Sequence, residues 1–220
     1  MFVAPGQWVA QSRAGAAVWS VLALALLTQP GQAAESPEPA RGQRRVGIDT
    51  RFGDLVHEAR GHYRAKRFGR AAALYTEALA MRPDPKNTHM LYFERGTTQM
   101  DGQNHPAAVA DFDQAVRLRP SDWEAINMAA WLRATSRNAA ARNGRLAVQQ
   151  ATRACELTKW KNPDVLDTLA AAHAEAGDFE RAVQFQKQAI GLAPLGERIK
   201  MHERLRLFEQ RTPYRLKSGR

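Results

Sequence analysis

The chain has 220 residues, a formal net charge of +10 and 44% apolar residues. This length suits one domain of moderate size, and this apolar content excludes a chain that is disordered throughout. The charge is uneven: residues 41–70 hold nine basic side chains against three acidic ones, residues 196–220 hold eight against three, and residues 71–195 hold fourteen of each sign. Basic ends favour contact with an anionic surface, or merely a well-solvated exterior. Specific nucleic-acid binding is not predicted, because no base-stacking aromatic side chains alternate with the charges.

The first 33 residues have the layout of a secretory signal peptide. A short apolar run, Ala16–Leu27, is broken at Pro30 and followed by Gly31 and Ala33, small residues of the kind that precede a cleavage site. The run is shorter than the roughly 20 apolar residues that span a bilayer comfortably. We therefore expect an exported chain, periplasmic or secreted; an uncleaved signal anchor in the inner membrane is the alternative.

The next segment, residues 34–52, is predicted to be a disordered linker. It contains Pro37 and Pro39, and its apolar residues follow no helical or strand period. Such a composition gives a chain little apolar surface to bury.

From residue 53 onward one spacing occurs four times. An alanine is followed seven residues later by a second alanine, and in three units a proline comes five residues after that. Seven residues are about two helical turns, so both alanines lie on one helix face, where small side chains let an antiparallel helix approach closely. A small residue twelve positions earlier marks the partner helix. The alanine pairs are 71 and 78, 108 and 115, 147 and 154, and 182 and 189; the prolines are Pro83, Pro120 and Pro194; the small residues are Ala59, Gly96 and Ala170, with Ala130 as the best match in the third unit.

The fourth unit carries the clearest motif. Residues 166–183 read Leu-Asp-Thr-Leu-Ala-Ala-Ala-His-Ala-Glu-Ala-Gly-Asp-Phe-Glu-Arg-Ala-Val, and the unit ends in Ala189 and Pro194. This segment resembles the tetratricopeptide repeat family, and the resemblance extends over residues 53–195. It implies an all-α fold: a right-handed α-solenoid of about four helix-turn-helix units, each covering the apolar face of its neighbour.

The third unit departs from the pattern. Extra residues lie around Arg142, Asn143 and Gly144, and Lys159 stands where the other units have proline. We expect the superhelix to be irregular there.

The end of the chain is predicted to form a cap. Residues 196–211 are amphipathic, with Met201, Leu205 and Phe208 on one stripe, as a capping helix requires. Residues 212–220 are expected to be a frayed tail.

Residues that could carry catalysis or bind a metal are scattered. His57 and His62 are five positions apart, which places their rings about 140° apart on a helix, so they cannot share one metal ion. Cys155 lies on an apolar helix stripe and is expected to be buried and inert. Two carboxylate pairs, Asp111 with Asp113 and Glu175 with Asp178, are expected on solvent faces, where they would cap helices. We predict no catalytic residue, no metal site and no cofactor.

The resemblance also implies where a partner binds. In this family the first helix of each unit lines a concave groove that holds an extended peptide or a helix. Trp131 is either an exposed anchor for the partner or a core residue that fills the irregular third unit. The groove residues carried over by alignment are Arg60, Tyr63, Arg64, Phe93, Thr97, Met100, Asn127 and Trp131.

Three functions follow as hypotheses. The first is a non-enzymatic scaffold outside the cytoplasm that binds a protein or peptide of unknown identity. The second is a binder of polyanions or anionic surfaces that uses the basic ends, and its affinity would fall steeply with salt. The third is an enzyme whose site has no recognisable motif.

Overall fold

A computed structural model describes residues 41–217, with side chains from residue 50 onward. The predicted signal peptide lies outside these residues, as does the first part of the predicted linker. Every regular element from residue 41 to residue 217 is helical. The elements are α1 (Arg41–Arg64), α2 (Phe68–Ala80), α3 (Pro85–Asp101), α4 (His105–Leu118), α5 (Trp123–Thr135), a 3₁₀ turn (Ala139–Ala141), α6 (Gly144–Leu157), α7 (Pro163–Glu175), α8 (Phe179–Leu192) and α9 (Leu195–Glu209).

The first helix begins earlier than the sequence pattern indicates. It starts at Arg41, whereas the linker was expected to continue to residue 52. The last proline of that segment is Pro39, so no residue from 41 to 52 lacks the backbone N–H that a helix needs. The chain divides after Gly53 into two compact parts, and the described portion of the first part is the opening of α1 alone.

The second compact part, from Asp54 onward, is a stack of helix pairs. Within it α3 packs on α4, α5 on α6 and α7 on α8, and the second helix of each pair packs on the first helix of the next. The first helices α5 and α7 also contact each other directly. This neighbour-to-neighbour arrangement confirms the prediction of an all-helical solenoid. None of the helices between residues 41 and 217 combines the length and apolar character needed to cross a bilayer.

The small residues lie where the helices approach most closely. All eight repeating alanines have zero exposure, and so do Ala59, Ala130 and Ala170. Gly96 of α3 shows why the position must be small: a Cβ there would meet the ring of Phe112 at 3.0 Å. The recurring spacing therefore sets the helix-to-helix distance, as the sequence predicted.

Each later unit begins with a capped helix. The side chains of Asp84, Asp122 and Asn162 accept hydrogen bonds from the first free backbone N–H groups of α3, α5 and α7. After α6, where no proline is present, Lys159 and Trp160 both adopt positive φ angles of 53° and 57°. Two left-handed residues thus reverse the chain where the other units use proline.

The extra residues of the third unit form a bonded bridge between α5 and α6. Arg142 Nη1 donates to the carbonyls of Ser136 and Arg137, both at 3.0 Å, and its Nε donates to Glu175 Oε1 at 3.0 Å. His105 Nδ1 lies 2.7 Å from Ser136 Oγ in the buried interior. The insertion is therefore fixed to α4 and α7 by polar contacts.

The final helix covers the end of the stack, as predicted for a cap. Met201 and Phe208 are buried, with 2% and 0% exposure, whereas Leu205 is only half-buried. Gln186 of α8 donates from Nε2 to the Met201 carbonyl at 3.2 Å. The stripe read from the sequence thus faces the repeats at two of its three positions.

Candidate functional site

The prediction of a frayed C-terminal tail is wrong for residues 212–217. These residues, called the tail below, turn back from α9 and lie along α5 and α7. The Leu216 N–H donates to the Thr135 carbonyl at 2.9 Å, and Arg137 Nε donates to the Leu216 carbonyl at 2.7 Å. Both backbone groups of one tail residue are therefore bonded to the repeats. The last carbonyls of α5 have no partner within the helix, so they are free to accept bonds from an added chain.

An ion pair anchors the middle of the tail. Arg215 Nη2 lies 2.6 Å from Glu175 Oε2 at the end of α7, and its Nη1 lies 3.4 Å from the Ala134 carbonyl. Glu175 is 13% exposed and also accepts from Arg142, which keeps its carboxylate in place. The negative end of the α5 dipole adds to the attraction for a cation at this position.

An aromatic pair holds the start of the tail. The ring of Tyr214 lies 5.8 Å from that of Trp131, tilted by 35°, and the Arg204 guanidinium lies 5.6 Å from each ring. Arg204 Nε donates to Asp167 Oδ1 at 2.7 Å, so a buried carboxylate orients the cation. Burial raises the pKa of the Tyr214 hydroxyl above its usual range, so it stays a neutral donor.

The tail ends on an apolar cluster between α3, α4 and α5. Leu216 packs against this cluster, which includes Met100, Phe112 and Leu132, and Phe93 packs against it as well. Met100 is only 7% exposed. We call the surface formed by Trp131, Ala134, Thr135, Glu175 and this cluster the tail face.

The predicted groove residues of the third unit lie at or near the tail face. Trp131 is half-buried: it packs partly on the main core cluster and partly on Tyr214 of the tail. Asn127 lies one turn earlier on α5, is 7% exposed, and its Oδ1 accepts no hydrogen bond from the described residues. Asn127 therefore lies beneath the surface of the third unit rather than on it.

The predicted groove residues of the first two units are mostly engaged in contacts between helices. Arg60 binds both carboxylate oxygens of Glu94, at 3.0 Å and 2.6 Å, and the Tyr63 hydroxyl donates to Asp101 at 2.6 Å. Thr97 donates to the Phe93 carbonyl at 3.0 Å, within α3. Arg64 is exposed at the end of α1. The structure thus joins Arg60 and Tyr63 to α3 and brings Met100 and Trp131 to the tail face.

Two of the site's main contributors were not predicted as site residues. The sequence predicts Glu175 as a capping carboxylate on a solvent face and assigns Arg204 no role. No local pattern marks either, because their partners lie far along the chain.

The expectation that the carboxylate pairs cap helices on solvent faces is wrong for three of the four residues. Asp111 is 4% exposed and binds Arg95 at 2.8 Å and 2.6 Å, and Asp113 binds Arg133 at 2.6 Å. Glu175 holds the tail instead. Asp178 does cap α8, accepting from the Arg181 N–H at 3.1 Å.

The reactive side chains are either buried or used locally. Cys155 has zero exposure, as predicted, and burial raises the pKa of its thiol to about 12, with the charge of Glu156 adding to the shift. Burial also lowers the pKa of His105. His62 lies 3.4 Å from Glu58 on its own helix. Over the part of the chain that the structure describes, no group of three or more potential metal ligands comes together.

Comparison with known proteins agrees with this fold. The sequence model of the tetratricopeptide repeat family matches residues 163–194, the helix pair α7 and α8. Among solved structures, the chain is similar to MamA, residues 41 to the end, from Desulfovibrio magneticus RS-1. That match has a TM-score of 0.59 and 16% identity, and covers 73% of this chain and 85% of the other. At this identity the likeness establishes the fold alone. No curated protein sequence matches the chain.

Proposed function

We propose that the chain is a tetratricopeptide-repeat protein that acts as a non-enzymatic scaffold, and that its first-helix surface binds an extended segment of another protein. One observation carries the proposal: the tail, an irregular segment, already lies on α5 and α7, bonded through backbone and side chains. A surface that binds one extended segment through free helix carbonyls, a carboxylate and an apolar cluster has the groups needed to bind another.

The proposed scaffold acts outside the cytoplasm. This part of the proposal comes from the apolar run at residues 16–27 and the small residues that follow it. Its test is N-terminal sequencing of the chain recovered from the cell envelope of its source. A start near Ala34 supports export with cleavage, and a chain retaining Met1 in the membrane fraction supports the anchor.

The polyanion-binding alternative is weaker for the C-terminal end. Arg204 and Arg215 both form close ion pairs within the chain, and Arg198 donates to the Ala193 carbonyl at 2.8 Å. Basic side chains held in this way neutralise fewer external phosphates than their number indicates. Binding that persists as salt is raised would favour the peptide-binding function.

Photo-crosslinking tests the proposal directly. A photoreactive phenylalanine analogue is placed at Arg64 or at Thr97 on the first helices, and at Gln188, which is exposed on α8, as the matched control. We expect the first two positions to capture the same protein in the cells of origin and Gln188 to capture none. Equal capture from all three positions, or none from the first helices, would contradict the proposed binding surface.

A further inference from the structure

The contacts of the tail indicate which side chains a ligand of the tail face would need. Three consecutive residues make three kinds of contact: Tyr214 packs its ring beside that of Trp131, Arg215 pairs with Glu175 at 2.6 Å, and Leu216 packs on the apolar cluster. The backbone of Leu216 is bonded through both its N–H and its carbonyl. The aromatic contact, the ion pair and the apolar contact thus each involve one side chain of the tail, and the backbone bonds of Leu216 fix their register.

These contacts differ from those of an ordinary helical cap. The cap, α9, buries Met201 and Phe208 against the end of the stack. The tail continues past it: Arg215 bonds to the Ala134 carbonyl, 81 residues earlier, and Leu216 packs on the cluster that includes Met100. It crosses the surface on which the predicted groove residues Trp131 and Met100 lie, so it occupies the site where the proposed function places a partner.

We propose that the tail is a built-in substitute for the ligand: the partner presents an extended segment with an aromatic residue, an arginine and an aliphatic residue in succession, and the tail must leave before that segment binds. This inference rests on the proposed function and specifies the partner of the same surface. The scaffold is therefore self-inhibited, and its apparent affinity is set by competition within the chain.

The strength of the competition follows from tethering. A short flexible linker gives a tethered segment an effective concentration on the order of 1 mM. For a free peptide with an intrinsic Kd of about 100 μM, that competition weakens the apparent affinity about tenfold. The full chain is expected to bind a matching peptide about ten times more weakly than a chain whose tail is released.

The test uses the chain from Ala34 onward, which follows the proposed signal peptide, and its Tyr214→Ser/Leu216→Ser variant. The probe is a fluorescent peptide with the sequence of residues 209–217. Fluorescence anisotropy measures binding, with a scrambled peptide of equal charge as control. We expect the variant to bind the native-order peptide about ten times more tightly than the wild type does, and neither chain to bind the scrambled peptide. If the double variant does not fold, Leu216→Ser alone replaces it.

A double-mutant cycle assigns the arginine contact. Glu175→Gln in the released chain keeps an acceptor for Arg142 but removes the charge. We expect this change and Arg215→Ala in the peptide each to weaken binding, and the two together to cost little more than either alone. Additive losses of binding free energy would contradict the proposed pairing of Arg215 with Glu175.

Other results would overturn the inference. If the released chain binds neither peptide, the tail is only a structural cap. Equal binding of both peptides would show that the tail face recognises the charge of the peptide and not its residue order. A concentration-dependent dimer of the wild type that the tail variant abolishes would assign the tail face to a second copy. Crosslinking from Arg64 or Thr97 still tests the proposed function by itself, so capture of a partner there with no effect of the tail peptide would reject this inference alone.

Discussion

Gly144, the first residue of α6, lies against the backbone of Ala176, just after α7. A Cβ at Gly144 would meet the Ala176 nitrogen at 2.8 Å and the Glu175 carbonyl carbon at 2.9 Å. Both atoms are backbone, so they cannot swing aside as a side chain would. The insertion of the third unit is compatible with the stack because this residue has no side chain.

Gly144→Ala is therefore expected to lower the free energy of unfolding by about 1–3 kcal/mol, the usual cost of overpacking. Gly191→Ala in α8 is the matched control, since a Cβ there meets nothing within 4 Å. That change should raise the free energy of unfolding by roughly 0.5–1 kcal/mol, because alanine is the better helix former. Urea denaturation followed by circular dichroism measures both, and equal effects would contradict the close contact.

The Trp131–Tyr214 contact predicts coupling between α5 and the tail. Trp131→Ala and Tyr214→Ala should each destabilise the chain, and the double variant should lose about 0.5–1.5 kcal/mol less than the sum of the single losses. A cycle pairing Trp131 with Tyr92 of α3, which lies against Arg95 instead, is expected to be additive. Denaturant titrations of the four proteins in each cycle measure these quantities. Additivity in the first cycle would mean that the tail is not held by this ring pair.

Trp131→Ala should also weaken binding of a partner without unfolding the chain, because the residue is only half-buried. Circular dichroism and crosslinking from Thr97 on the same sample separate the two effects. Loss of the helical signal at room temperature would show that Trp131 acts mainly in the core.

Asp164 near the start of α7 predicts a pH dependence of stability. Burial raises the pKa of its carboxyl to about 6, with Glu197 and Asp167 adding repulsion and Arg204 opposing it. A pKa above the ordinary 3.8 means that the fold binds this proton more tightly than the unfolded chain does. The stabilisation from protonation is therefore complete below about pH 4 and is lost as the pH rises through about 6.

Asp164→Asn, which stays neutral at every pH, is expected to be more stable than the wild type by about 1 kcal/mol near pH 7.5, with the difference vanishing near pH 4. The full rise in the pKa of Asp164 overstates the stability gained by Asp164→Asn, because the site is partly exposed and the α7 N-terminus favours the carboxylate. Thermal unfolding across this pH range measures the difference. Glu156→Gln, at an exposed site, is the control, and a difference independent of pH would contradict the assignment.

Cys155 predicts a thiol that reacts only when the chain opens. It has zero exposure, and its pKa of about 12 leaves very little thiolate at neutral pH. Alkylation by iodoacetamide should be slow in buffer and should accelerate with urea in parallel with the loss of helical signal. A Gln188→Cys thiol in a Cys155→Ala background serves as the exposed control. Native Cys155 reacting as fast as that control would contradict its burial.

The repeat architecture was predictable because its cause is periodic along the chain. Small residues such as Ala71, Ala108 and Ala182 recur where paired helices touch, and each contact joins residues close in sequence. Prolines and capping carboxylates mark the ends of the helices through local backbone chemistry. The burial of Cys155 and the capping helix α9 were predicted from the amphipathic patterns of their segments.

The site was only partly predictable. Of the predicted groove residues, Trp131 and Met100 lie beside the tail, whereas Arg60 and Tyr63 bind Glu94 and Asp101 of α3. A repeat pattern identifies the helix face on which a residue lies. It does not identify the opposite charge that reaches that residue from the neighbouring unit.

The sequence by itself determined the helices, their pairing and the close approach at alanine and glycine positions, because those features depend on side-chain size and spacing over one or two helical turns. Only the tertiary structure decided that the tail returns to α5 and α7. Its bonds join residues 79 and 81 positions apart, and no local period encodes such a contact. Stacking of the units brings the α5 carbonyls, Glu175 and Trp131 onto one surface, and that surface binds the end of its own chain.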